Sequence, residues 1–183
     1  MSVLTYIASD HPLAERPNPH ERLVSVNEAL ALGKTNIHDV LLAPGFDRDK
    51  PGVILWSDRE VIFDIDKGEI RDGGLDDDFS LLCADGMDGI FTEKKHTVSL
   101  EWHYYTEGRA GMVIDYIREN LRHTDEVELW HIWMGFGEKP LIRSRTIPIS
   151  ELVPEDIKTL MNSNVTEEFY DIPIQYRIVI TAE

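Results

Sequence analysis

The chain has 183 residues, of which 34 are acidic and 18 are basic, so its formal net charge at pH 7 is -16. A field of this sign repels nucleic acid and anionic membranes and attracts basic proteins. Because 42% of the residues are hydrophobic, the charge does not predict disorder. We therefore expect a folded protein that binds neither nucleic acid nor membranes.

Length and residue usage indicate the number of domains, the absence of disulfides and the cellular compartment. A chain of this size predicts a single domain over residues 1–183. Its single cysteine, Cys83, excludes an intramolecular disulfide and a cysteine metal cluster, and its apolar neighbours predict a small core residue. The first residues lack a signal-peptide pattern, and no apolar run approaches the roughly 18 residues of a membrane span. We expect a cytoplasmic protein.

The first part of the chain predicts a strand, a loop and a short helix. Residues 3–8 form the predicted strand, and three prolines make 10–20 a loop. Ser25 and Glu28 have the spacing of a capping box, and Gly33 ends the helix that follows.

The middle of the chain predicts mainly strands. Strands at 53–56 and 61–65 would form a hairpin around residues 57–60. Two further strands are predicted at 79–84 and 97–105.

The strongest helix pattern covers residues 107–122. Thr106 caps its start, and its apolar stripe at helical spacing consists of Ala110, Val113, Ile114, Ile117 and Leu121. Strands at 127–134 and 141–149 would form a second hairpin around 135–140, and Pro154 begins another short helix. Alternation of apolar and polar residues predicts a last strand at 172–181.

Strands outnumber helices, and several follow one another through short turns. This order predicts an α+β fold, in which a mainly antiparallel sheet carries one long helix (107–122) and two short helices. No glycine-rich phosphate loop or serine nucleophile motif occurs in the sequence, so we expect no cofactor.

Three residues on two predicted strands form a candidate metal or catalytic site. Glu101 and His103 share one face of the strand at 97–105, and His131 lies on the strand at 127–134. If these strands are neighbours, the two imidazoles and the carboxylate have the composition of an open zinc site. The alternative interpretation places Glu101 and His103 on a wet face and His131 in the core as a hydrogen-bonded histidine.

The acidic excess is concentrated between residues 58 and 93, where twelve acids and three bases give a net charge of -9. These acids could form a cation site or a solvated loop. As a surface for a basic protein partner, the candidate residues are Asp72, Asp76, Asp77, Asp78, Asp85 and Asp88.

Three functions follow from these features. The first is a non-catalytic acidic binding protein that engages a basic partner, as an immunity protein, inhibitor or regulator does. The second is a small-molecule or metal-dependent enzyme that uses Glu101, His103 and His131. The third is an accessory domain that associates with itself through a sheet edge or through the region of Trp130 and Trp133.

Overall fold

The computed structural model describes residues 3–57, 62–64, 69–71, 75–87, 90–134, 141–163 and 174–183. Its elements follow the chain as β1 (Val3–Ser9), β2 (Glu21–Val24), α1 (Val26–Ala31), α2 (Asp39–Leu42), β3 (Ile54–Ser57), β4 (Ile62–Asp64), β5 (Glu69–Arg71), β6 (Ser80–Cys83), β7 (His96–Glu101), α3 (Glu107–Asn120), β8 (Glu126–Trp133), β9 (Leu141–Pro148), α4 (Pro154–Asn162) and β10 (Ile174–Thr181).

These elements form two compact units. The first unit comprises residues 1–17 and 74–183, and the second comprises residues 18–73. The single domain over residues 1–183 stays a prediction, because compactness alone does not establish how many parts of a chain fold independently.

A six-stranded sheet organises the first unit. Its strand order is β6-β7-β1-β8-β10-β9, and every neighbouring pair is antiparallel except β9 and β10. With the helices, this sheet confirms the predicted α+β class.

The main core lies between one face of the sheet and the helices α3 and α4. Ile7, Leu129 and Ile178 project from the sheet into this core, where they meet Val113 and Ile117 of α3. The Thr106 hydroxyl caps α3 by accepting a hydrogen bond from the backbone N–H of Arg109, at 3.1 Å. Since α3 ends at Asn120 and α4 begins at Pro154, both predicted helices are confirmed.

The face of the sheet opposite α3 and α4 carries a smaller core. Tyr6 and Trp130 stack there with their ring centroids 5.7 Å apart, and residues 90 and 91 pack over them. Both strand faces are therefore buried at this point, which explains why the sequence of β8 does not alternate between apolar and polar residues.

The second unit has its own small core. Ser25 and Glu28 form the predicted capping box of α1, and Gly33 follows with a φ of 89°, a left-handed conformation that favours glycine. Val26 and Ala29 of α1 pack with Ile54 of β3. The strands pair as β2 with β3 and as β4 with β5.

Both predicted hairpins have the wrong strand pairing. The strand β3 pairs with β2 instead of β4, and β10 lies between β8 and β9. Short loops indicate hairpins only when the flanking strands lack better partners, and here a strand distant in sequence supplies the partner. The turns themselves, 58–61 and 135–140, lie outside the described residues.

Two further sequence predictions are corrected. The strand predicted at 97–105 ends at Glu101, and Cys83 is exposed instead of buried. Cys83 lies at the end of the outer strand β6, whose last two residues are exposed, so an apolar sequence did not ensure burial. Among the described residues, no helix is both long enough and apolar enough to cross a membrane.

Candidate functional site

The predicted site of Glu101, His103 and His131 does not form. The strand β1 separates β7 from β8, so the two strands are not neighbours. Tyr6 pairs with both Ser99 and Trp130, which places Glu101 on the face of Trp130 and His131 on the opposite face. His103 lies beyond the end of β7. Within the described ranges, no group of three or more His, Cys, Asp or Glu side chains is arranged to hold a metal ion.

His131 is a core histidine, as the alternative interpretation predicts. Its side chain faces the helices with only 4% of the residue exposed. Its ring hydrogen-bonds to the backbone of Met161, and its Nδ1 lies 2.8 Å from the Thr5 hydroxyl. With Nε2–H donating to the Met161 carbonyl, Nδ1 accepts from Thr5. Burial lowers the pKa of His131 to about 4, so the imidazole is neutral at pH 7.

The predicted acidic surface is divided by the fold into side chains with different surroundings. Asp78 is buried and ion-paired with Arg109, so it is not available to a partner. Asp76 is exposed at the first turn of α3, where its carboxylate lies close against Gly108. Asp77 is exposed between them. Asp72 and Asp88 lie outside the described residues.

Asp85 stabilises the connection between β6 and β7. Its Oδ1 accepts hydrogen bonds from the backbone N–H and the hydroxyl of Thr97, at 2.5 and 3.0 Å. The backbone hydrogen bond from Thr97 is the main reason that the pKa of Asp85 lies below its ordinary value. Its Oδ2 lies 3.6 Å from Nδ1 of His96, and the carboxylate is still partly exposed.

The end of the sheet near Asp85 gathers more acids than the sequence pattern indicates. The strands β1, β6 and β10 finish there, and β7 and β8 begin there, as their registers show. Acids from four separate chain segments therefore meet at this end, namely Asp10, Asp85, Glu93, Asp125 and Glu126.

A cavity of about 480 Å³ opens beside this end, on the face that carries Trp130. We call it the acidic groove, because four carboxylates and two basic side chains line it together with aromatic and aliphatic walls. Its lining residues are Asp10, Phe91, Glu93, Lys94, Glu126, Glu128, Trp130, Ile142 and Arg177.

Lys94 shows how the acidic groove binds a cation. Its Nζ lies 2.8 Å from Oδ2 of Asp10 and 2.7 Å from Oε1 of Glu126. Burial lowers the pKa of Lys94, but hydrogen bonds to the two carboxylates outweigh burial and raise it above the ordinary value. The same contact with Lys94 lowers the pKa of Asp10. The rim of the groove thus holds an ammonium group between two charged carboxylates.

Glu128 holds the inner wall of the groove in place. Its Oε2 accepts hydrogen bonds from Nε1 of Trp130 at 2.7 Å and from the Thr92 hydroxyl at 2.5 Å. Its Oε1 accepts from Nη1 of Arg177 at 2.9 Å, and the Arg177 guanidinium lies over the Trp130 ring at 5.1 Å. Because this buried carboxylate has three donors, the wall is rigid and its charge is compensated.

Glu93 differs from the other acids of the groove. It is exposed, and within the described part of the chain its carboxylate has no hydrogen-bond or ion-pair partner. The groove therefore offers an uncompensated carboxylate beside an already occupied ammonium site.

Sequence reasoning missed Asp10, Glu126, Glu128 and Arg177 as site residues. Glu126, Glu128 and Trp130 alternate along β8, and two carboxylates on the same face as a tryptophan are a usable signal. Their convergence with Asp10 depends on the pairing of β1 with β8, which the sequence does not reveal.

Comparison with known proteins found no matching family model, no similar curated protein and no similar solved structure. Evidence about function therefore comes from the side chains that line the acidic groove.

Proposed function

We propose that this chain is a non-catalytic binding protein that engages a basic protein partner through the acidic groove. The observation that carries the proposal is the position of Lys94, whose ammonium group is held by Asp10 and Glu126 at 2.8 and 2.7 Å. A site that binds a lysine of its own chain has the chemistry to bind a lysine or arginine of another protein at its open carboxylate, Glu93.

The charge of the whole chain supports the same partner. With a net charge of -16, the chain attracts basic proteins before contact and raises their association rate. The field is screened over about 8 Å at physiological ionic strength, so groups in the groove must provide the short-range contacts. Phe91 and Ile142 add apolar walls that shed water when a side chain enters.

Affinity capture with matched variants tests this proposal. The groove variant Glu93→Gln/Glu126→Gln removes two carboxylates, and the control variant Glu151→Gln/Glu155→Gln removes two exposed acids elsewhere in the first unit. We expect the wild-type protein and the control to retain a basic protein at low salt and to release it at high salt. The groove variant should retain much less.

The retained protein then allows a direct affinity measurement. Loss of the open Glu93 carboxylate and of the Glu126 charge beside it should weaken binding by roughly 5- to 30-fold, at about 0.5–1 kcal/mol for each charge. Equal binding by the groove variant and the control would contradict the role of the groove. A third variant, Asp77→Asn, tests the acidic loop, residues 75–78. If only this variant loses binding of the basic protein, the loop and not the groove is the binding surface.

A further inference from the structure

The strand β9 forms an open edge of the six-stranded sheet. It pairs with β10 on one side, and the described residues place no strand on its other side. Its first six residues are all exposed. The opposite edge strand, β6, is partly covered. Arg16, in the segment before β2, forms an antiparallel bridge with Leu81 of β6 through two backbone hydrogen bonds of 2.8 Å.

The charge of β9 is opposite to that of the chain. Residues 141–148 contain two arginines and no acid, although the whole chain has a net charge of -16. Arg143 pairs in register with Tyr176 and Arg145 with Ile178, so both arginines project from the face that carries α4. The edge is also partly apolar, since Leu141 and Ile142 are 51% and 39% exposed.

A small cavity of about 230 Å³ adjoins this edge. It lies between β9, β10 and the last turns of α4, and its lining includes Arg143, Arg145, Thr159 and Ser163. Nη2 of Arg145 binds Oδ1 of Asp156 at 2.7 Å, and the arginine side chain remains 47% exposed. Asp156 also accepts a hydrogen bond from the backbone N–H of Val153, at 2.9 Å. Arg145 is thus held in place at the cavity with further guanidinium donors left over.

We propose that the β9 edge binds an extended acidic peptide segment of a partner protein by strand addition. The outward N–H and C=O groups of β9 pair with the peptide backbone, which supplies affinity without regard to sequence. Side chains two residues apart in the peptide share a face, so two carboxylates at that spacing meet Arg143 and Arg145. Charge complementarity selects an acidic segment.

A second copy of this chain is a poor occupant for the same edge. Antiparallel pairing of β9 with itself around Ser144 would place Arg143 of one copy beside Arg145 of the other. Like charges directly opposite each other destabilise a strand pair. In this central register the two arginines act against self-association, and they favour an acidic strand.

Selection from a random octapeptide display library tests the proposal with the folded wild-type protein. We expect enrichment of peptides with Asp or Glu at two positions separated by one residue. A parallel selection uses the variant Arg143→Glu/Arg145→Glu, and Arg122→Glu supplies a charge-reversal control at an exposed site beyond the end of α3. The control should select the acidic peptides, and the double variant should not.

A synthetic copy of the most enriched peptide then tests the binding mode on unaltered protein. Methylation of alternate backbone nitrogens on its β9-facing side should weaken binding at least about tenfold, because each lost pairing removes roughly 0.5–1.5 kcal/mol. Methylation of the other nitrogens should have little effect. Three results would overturn the proposal: enrichment of peptides without acids, unchanged binding after methylation of the β9-facing nitrogens, or a concentration-dependent dimer that the double variant abolishes.

The two proposed surfaces are distinguished by their variants. The groove variant Glu93→Gln/Glu126→Gln should bind the acidic peptide as the wild-type protein does. Failure of the β9 proposal therefore leaves the groove proposal intact, and the reverse also holds.

Discussion

The carboxylate of Asp78 and the guanidinium of Arg109 form an ion pair inside the first unit, with Oδ2 and Nη2 3.1 Å apart and side-chain exposures of 2% and 0%. Arg109 also donates through Nε to the Leu75 carbonyl and through Nη1 to the Tyr104 carbonyl, at 3.1 and 3.0 Å. One buried arginine therefore ties the acidic loop and the segment before α3 to the helix. Part of the acidic cluster thus contributes to folding.

Removing one partner of this pair should destabilise the protein strongly. We expect Arg109→Met to lower the free energy of unfolding by about 3–5 kcal/mol, because it leaves the Asp78 carboxylate buried without its counter-ion. The double variant Asp78→Leu/Arg109→Met should recover much of that loss. Arg118→Met, at an exposed pair with Asp115, should cost at most about 1 kcal/mol. Denaturant unfolding measures all three, and equal losses for the two arginine variants would contradict the assignment.

The local elements were predictable because their signals lie within a few residues. The Ser25 capping box, the Thr106 cap and the apolar stripe of α3 each depend on neighbours along the chain. Strand pairing was not predictable in the same way. The insertion of β10 between β8 and β9 depends on which distant strand buries the most apolar surface, and the sequence pattern is the same for either partner.

The candidate site was less predictable than the fold. Glu101 and His131 matched a metal site in composition, but the position of β1 puts them on opposite faces. Conversely, Asp10 and Glu126 are 116 positions apart in the sequence and meet only through the ammonium group of Lys94. Their shared contact with Lys94 depends on the strand register, which the sequence does not reveal.

His131 should make the protein less stable in mild acid. Its pKa in the folded state is lowered to about 4, against an ordinary value of 6.5. Between these values the unfolded chain binds a proton that the folded protein does not, so stability falls as the pH drops from 6.5 towards 4. At pH 4.5 this single group should cost about 2–3 kcal/mol relative to pH 7.5.

The variant His131→Gln isolates that contribution. Its stability should fall less between pH 7.5 and 4.5 than that of the wild-type protein, by about the same 2–3 kcal/mol, because the other histidines titrate equally in both proteins. Urea unfolding at four pH values gives the two curves. Parallel curves would mean that folding does not lower the pKa of His131.

Cys83 should react with thiol reagents in the native protein. It is exposed at the end of β6, and its backbone N–H donates to Oε1 of Glu15 at 2.7 Å. We expect labelling by an uncharged maleimide without prior unfolding, and Cys83→Ser should change the free energy of unfolding by no more than about 0.5 kcal/mol. Mass spectrometry follows the labelling. Protection that ends only in denaturant would instead indicate a buried thiol.

Two glycines of α3 should respond in opposite directions to the same substitution. A Cβ at Gly111 meets no atom within 4 Å, whereas a Cβ at Gly108 would lie 1.7 Å from Oδ1 of Asp76. Gly111→Ala should therefore stabilise the protein by about 0.5–1 kcal/mol, since alanine loses less backbone entropy in a helix. Gly108→Ala should destabilise it, because the short Asp76 side chain must leave its place at the helix N-terminus.

The variant Asp76→Ala provides the test of that cause. In its background the obstructing carboxylate is gone, so Gly108→Ala should no longer destabilise the protein and should act in the same direction as Gly111→Ala. Thermal unfolding of the single and double variants gives the coupling between the two positions. If Gly108→Ala is equally destabilising with and without the Asp76 carboxylate, the close packing of the acidic loop on α3 is not what limits this position.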